Sequence, residues 1–172
     1  FDKSTTMPGF LDESNGTTNR PVQTSTSLEW MALRSLATAI FSSAHNLFAY
    51  SQALYDAILP ASSVTHLLMN AKLGAKTDRW FARVVPVNNR VDGWYHYLAT
   101  YSIVRMGQCF GPGFPKPEFV ESEETGRIVQ WILQQNRLGK NCYIITVASS
   151  AARIARTAKE MGVSLRGTKF NV

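Results

Sequence analysis

Apolar side chains in the second half of the chain switch between helical and strand-like spacing. Apolar residues within 128–133 recur at the spacing of one helix face. This pattern predicts a helix that begins at the acidic segment 121–124. Gly139 is placed to end this helix. A continuous apolar run over 142–147 then predicts an interior strand. The apolar positions of the helix are Ile128, Val129, Ile132 and Leu133.

A second helix and a second strand follow in the same half. Ser149 or Ser150 is positioned to cap the helix, and Gly162 is positioned to end it. Val163 then makes the apolar contact that commonly follows such an end. Residues 168–172 predict a final strand. The apolar side of the helix comprises Ile154, Ala155, Ala158 and Met161.

The first half of the chain is less regular. Thr26 and Glu29 fit a capping box with Thr26 as the N-cap, which predicts a helix over 27–43. A second helix is predicted over 47–59, where Pro60 ends it.

Shorter elements are predicted in the middle of the chain. Apolar runs at 64–69 and 81–87 predict buried strands, with a loop over 72–78 between them. Gly107 is placed to stop the aromatic segment 93–106 as a helix, and residues 109–110 predict a short strand or its end. Residues 111–117, rich in glycine and proline, predict a surface connection.

The alternation of helices with apolar strands indicates an α/β fold, layered, with a mostly parallel sheet flanked by helices. We interpret residues 1–172 as a single partial domain. The chain begins with Phe1 and ends in a predicted strand, so we expect it to be a piece of a longer protein.

Charge and cysteine content narrow the class of protein. The net charge is +6, but the basic residues are dispersed and form no run typical of a nucleic-acid-binding tail. This charge is compatible with an ordinary surface or with an anionic ligand such as a nucleotide. Cys109 and Cys142 lie in apolar, strand-like segments, which favours buried free thiols and a cytoplasmic setting. No signal peptide and no apolar run of membrane-spanning length is visible in the sequence.

The chemistry with the clearest sequence signal lies in the loop at 14–21. A phosphate-binding loop needs backbone N–H groups that converge on the anion, and small hydroxyl residues add donors without bulk. Gly16 supplies the backbone freedom, Asn19 tolerates a left-handed conformation, and Arg20 adds charge. An ordinary polar turn has the same composition, and the ending of a Walker loop is missing. The hydroxyl donors are Ser14, Thr17 and Thr18.

This segment resembles the signature loop of acyl-adenylate-forming (AMP-binding) enzymes, usually written Thr/Ser-Ser-Gly-Thr-Thr-Gly-x-Pro. The signature loops of phenylacetate–CoA ligases and their relatives are similar to this segment. Asn15 stands at a serine position of that pattern, Asn19 at a glycine position, and Val22 where a basic residue is common. The matching residues are Gly16, Thr17, Thr18 and Pro21.

The resemblance implies that this chain is part of the large N-terminal domain of an ATP-dependent ligase. Its partners would be ATP with Mg²⁺, a small-molecule carboxylic acid and, as the acceptor, CoA. In this family the residues after a proline such as Pro86 line the acyl pocket, which makes Asn88, Asn89 and Trp94 candidates, although Trp94 also fits a packed aromatic helix face. Catalytic residues and metal ligands are not identified. The implied phosphate-binding residues are Ser14, Asn15, Gly16, Thr17, Thr18, Asn19 and Arg20.

The substitutions in the loop leave a second hypothesis open. The chain is then a degenerate, non-catalytic binding or scaffold module of the same fold. His66 lies inside a predicted strand, where a satisfied core or edge histidine is the expected role.

Overall fold

A computed structural model describes residues 9–13, 23–59, 61–83, 93–111 and 113–172. The protein is α/β, with a five-stranded sheet flanked by helices and a separate two-stranded hairpin. The strands are β1 (Gly9–Glu13), β2 (Gln23–Ser27), β3 (Ser51–Asp56), β4 (Arg79–Arg83), β5 (Pro117–Val120), β6 (Cys142–Thr146) and β7 (Thr168–Asn171). The helices are α1 (Leu28–Ala44), α2 (Ser63–Lys72), α3 (Gly93–Phe110), α4 (Gly126–Arg137) and α5 (Ala148–Glu160).

All neighbours in the large sheet are parallel, in the order β5-β4-β3-β6-β7. From β3 at the centre, the chain moves outward through β4 to β5. It then returns to the other side of β3, where it forms β6 and β7. This reversal of direction between β3 and β6 is the arrangement of a doubly wound α/β sheet, and it confirms the fold class predicted from the sequence.

The core has one cluster on each face of the sheet. Tyr55 and Ile144 belong to the face covered by α4 and α5, whereas Leu54 and Ile145 belong to the opposite face, which includes side chains of α2 and α3. Adjacent residues of one strand therefore point to opposite faces, as the pleat requires. The helical side chains that complete the clusters are Ile128, Ile132 and Ile154 on one face, and Val64, Leu67 and Val104 on the other.

The predicted helix over 47–59 is wrong, because this segment contains the central strand. Only Leu47–Ala49 forms a short 3-10 turn, and β3 follows with all six residues buried. Polar side chains inside β3 find specific partners. The Ser51 hydroxyl donates to Gln135 Oε1 at 3.0 Å, and the Gln52 side-chain amide donates to the Leu47 carbonyl at 3.4 Å. These bonds allow polar residues to occupy an interior strand.

The predicted strand at 64–69 is also wrong, because these residues lie within α2. A six-residue apolar run has no periodicity that separates a buried strand from a buried helix segment. Of the predicted strand over 81–87, residues 81–83 lie in β4 and the remainder lies outside the described residues.

Helix α3 passes through Gly107 instead of stopping there, and it ends at Phe110. The absence of a side chain at Gly107 serves packing, because an added Cβ would lie 2.3 Å from the Phe114 ring. Cys109 is therefore helical and exposed, which corrects the prediction of a buried thiol in a strand. Cys142 is buried in β6 as predicted, and burial raises the pKa of its thiol to about 11.

Two predicted N-caps shift by one to three residues. Ser27, not Thr26, caps α1, and its hydroxyl accepts from the Trp30 amide at 3.2 Å. Helix α5 begins at Ala148, before the predicted caps Ser149 and Ser150.

The strongly periodic elements agree with the sequence. Ile128, Val129 and Ile132 are buried on α4, and every residue of β6 is buried. Gly162 ends α5 with a φ of +65°, and the Val163 amide donates to the Ala158 carbonyl at 3.0 Å.

Truncation of the central core should be costly, because Ile144 is fully buried between α4, α5 and the sheet. We expect Ile144→Ala to lower the free energy of unfolding by about 2–5 kcal/mol, measured by urea denaturation. Leu138→Ala is the control, since Leu138 is 63% exposed, and it should change stability by about 0.5 kcal/mol or less. Equal losses in the two variants would contradict this packing.

Candidate functional site

A crevice of ≈ 300 Å³ lies where the strand order reverses, at the carboxyl ends of β3 and β6. Crevices at this point of an open parallel sheet are the usual ligand sites of doubly wound folds, because the loops diverge there. Leu54 and Ile145 form apolar parts of the wall. The other lining residues used below are Asp56, Ser62, His66, Thr146, Val147 and Ala148.

Asp56 is held rigidly at the end of β3. Its Oδ1 accepts from the Ala57 amide at 2.8 Å, and its Oδ2 accepts from the Ser62 hydroxyl at 3.1 Å. Arg83 Nη2 lies 3.8 Å from Oδ1. The aspartate is buried, so these contacts compensate for the water that its charge has lost.

The N-terminus of α5 forms the opposite wall. Val147 is the N-cap and makes no side-chain capping bond, so the helix begins without the usual side-chain acceptor. The positive end of the helix dipole favours a negatively charged group here. The Thr146 hydroxyl donates to the Tyr55 carbonyl at 2.7 Å, which clamps the ends of β6 and β3 together.

His66 of α2 contributes a neutral imidazole to the crevice. Burial, with a smaller effect of the Arg34 charge, lowers its pKa from 6.5 to about 4. At neutral pH the ring therefore offers one N–H donor and one acceptor nitrogen. It lies in a helix, not in the strand expected from the sequence.

These walls combine an apolar base with few polar groups of defined position. Such a site suits a small molecule with an apolar body and an acidic group, since the acid would face the N-terminus of α5.

Most of the sequence-predicted site residues lie outside the described part of the chain. These are the loop residues 14–20 and both Asn88 and Asn89. The strands that flank the loop are described, and they pair antiparallel with Glu13 opposite Gln23. Trp94 lies on α3, is 66% exposed and does not line the crevice.

The crevice residues Asp56, Ser62 and His66 are not among the site residues predicted from the sequence. Their signal is a strand that ends in an aspartate and is followed by a serine cluster and a helix. This signal depends on residues 51–56 being a strand and 63–72 a helix, and the sequence predicts the reverse.

The described residues contain no group of three His, Cys, Asp or Glu side chains arranged to hold a metal ion. None of the described helices has both the length and the apolar character needed to cross a bilayer.

The chain matches no protein-family model, and neither the curated proteins nor the solved structures contain a match to it.

The lowered pKa of His66 makes stability depend on pH with a defined sign. The unfolded ring binds a proton near pH 6.5, whereas the folded ring does so only near pH 4. Stability from this group is therefore complete above about pH 6.5 and is lost as the pH falls toward 4. We expect the imidazole resonances of His66 to stay those of the neutral ring down to about pH 5 in the folded chain.

The same ring in concentrated urea provides the control, because there it should titrate near pH 6.5. Folded and unfolded chains with the same His66 titration midpoint would contradict the burial of this ring.

Proposed function

We propose that the chain supplies the phosphate-binding part of an enzyme that uses ATP to activate a carboxylic acid as an acyl-adenylate, with CoA as the acceptor. The pairing of β1 with β2 carries this proposal. It brings Glu13 and Gln23, the described residues on either side of the segment 14–22, to paired positions. A loop anchored in this way is suited to direct its backbone N–H groups at one anion.

The loop and the crevice would serve different parts of the reaction. Gly16, Thr17 and Thr18 would receive the β- and γ-phosphates of ATP, with Mg²⁺ sharing their charge. The carboxylic acid would lie in the crevice, its apolar body against Leu54 and Ile145. One carboxylate oxygen attacks the α-phosphorus of ATP. The bond between this phosphorus and the oxygen that bridges it to the β-phosphorus breaks, and pyrophosphate leaves.

This reaction needs no protein nucleophile, because the substrate carboxylate is itself the attacking group. The contribution of the protein is to position the two substrates and to stabilise the charge on the departing pyrophosphate. The positive end of α5 suits the orientation of the carboxylate before ATP arrives.

A non-catalytic binding module of the same fold is the second candidate. Asn15, Asn19 and Val22 depart from the pattern of the adenylate-forming loop and favour this alternative. A chain that binds the carboxylic acid but not phosphate would be such a non-catalytic module.

Phosphate binding by the loop is tested directly by NMR. We expect the amide resonances of 14–20 to shift on addition of pyrophosphate, while those of residues 139–172 stay unchanged. Gly16→Val should abolish the shifts because a branched side chain blocks the approach of the backbone. Arg20→Ala should only weaken them, and more so at low salt. If the amide resonances of 14–20 do not shift in millimolar pyrophosphate, the assignment of this segment as a phosphate-binding loop is refuted.

Acid binding in the crevice requires a separate experiment. Phenylacetate, chosen as a small acid with an apolar body, should shift the amides of Ala148 and Ser149 and the ring of His66. Ala148→Leu places bulk in the crevice and should weaken binding at least tenfold. Ala152→Leu is the matched control, one turn further along α5 at an exposed position. If both variants bind phenylacetate as the original chain does, the acid does not occupy this crevice.

A further inference from the structure

In the described part of the chain, three buried polar atoms on the face covered by α4 and α5 have no hydrogen-bond partner, and two of them lie on the neighbouring strands β3 and β4. These two atoms are the Tyr55 hydroxyl and Arg83 Nε. The whole Tyr55 residue is 1% exposed. Unpartnered buried groups of this kind are rare, because the water they lose on folding is not replaced.

The two groups lie on the same face and at the same edge of the sheet. Tyr55 of β3 is the register partner of Phe81 in β4, and both belong to the core cluster of this face. Arg83 lies two residues beyond Phe81, so the alternation of the strand directs it to the same face. Both residues are at the carboxyl ends of their strands.

Arg153 is an exposed residue of α5, and against the larger effect of burial its charge lowers the pKa of the Tyr55 phenol. The charges that act on the Tyr55 hydroxyl are those of Arg153, Arg83 and Glu123. In the described part of the chain, no ion pair involves Arg153. Two carboxylates oppose this positive charge: Glu123 acts on the Tyr55 hydroxyl, and Asp56 lies 3.8 Å from Arg83.

We infer that the Tyr55 hydroxyl, Arg83 Nε and the Arg153 guanidinium bind one oxyanion, a carboxylate or a phosphate, on the face of the sheet opposite the crevice. All three groups present N–H or O–H donors, and an oxyanion offers several acceptor lone pairs to them. Guanidinium groups match the planar geometry of such anions better than ammonium groups do. Burial raises the pKa of Tyr55, so its phenol remains a donor at neutral pH.

The site lies on the other face of the sheet from the crevice and adjoins it at the strand ends, where Arg83 contacts the crevice residue Asp56. The crevice lies on the face to which Leu54 and Ile145 belong, whereas Tyr55 belongs to the opposite cluster. A single buried water molecule could also accept from two of the donors, so the experiment must distinguish water from an anion.

The test follows the Nε–H resonance of Arg83 while inorganic phosphate or acetate is added at constant ionic strength. We expect a saturable shift with at least one of them, and the anion with the higher affinity identifies the ligand class. Tyr55→Phe and Arg153→Gln should each weaken that affinity at least fivefold. Arg156→Gln is the matched control, because Arg156 is an exposed arginine of the same helix and should leave the affinity unchanged.

A second measurement guards against variants that fail to fold. In buffer without phosphate or acetate, Tyr55→Phe should melt at or above the temperature of the original chain, because it removes a donor without a partner. A lower melting temperature would show that the hydroxyl already has a partner, such as water, and would overturn the inference. An Arg83 resonance that responds to neither anion would overturn it as well.

Discussion

The central strand β3 imposes the constraint on which the rest of the structure depends. It is buried along its whole length, so it must be paired on both edges and covered on both faces. The chain meets both demands by building β4 and β5 on one side and then returning to build β6 and β7 on the other. The crevice follows from this return, because the connections after β3 and β6 lead to opposite faces of the sheet.

The sequence predicted the elements whose apolar pattern is long and periodic. Helix α4 and strand β6 bury the side that their spacing indicates, whereas α5 buries Ile154 and Ala158 but leaves Ala155 and Met161 of its predicted apolar side exposed. Strand β3 could not be predicted in the same way, since its polar residues contradict a purely apolar interior. The acceptor for Ser51 is Gln135, which lies 84 residues further along the chain. No local pattern reveals such a partner, and only the finished fold explains why a serine is stable there.

The two candidate sites differ in the same way, because the residues of the loop are contiguous in sequence and those of the crevice are not. The loop at 14–21 is continuous, so its composition and its resemblance to a family were visible without a structure. The crevice is assembled from the ends of β3 and β6 and the beginnings of α2 and α5, which are distant in sequence. Because the sequence predicts a helix over 51–56, it does not place Asp56 at a strand end, and it gives no reason to relate Asp56 to His66.

Parallel pairing also explains why charged and donor groups collect at one edge of this protein. All five strands of the large sheet end there, so every connection that leaves them carries its polar residues to the same side. Asp56 and Arg83 show the consequence: they end neighbouring strands and lie 3.8 Å apart. Asp56 lines the crevice on one face, while the alternation of β4 places Arg83 on the same face as Tyr55. The aspartate of one site therefore contributes to the charge felt at the other. Because Arg83 is attracted to this carboxylate, an oxyanion on the α4–α5 face has to compete with Asp56 for the guanidinium. The affinity of the protein for the oxyanion therefore reports the difference between these two interactions of Arg83.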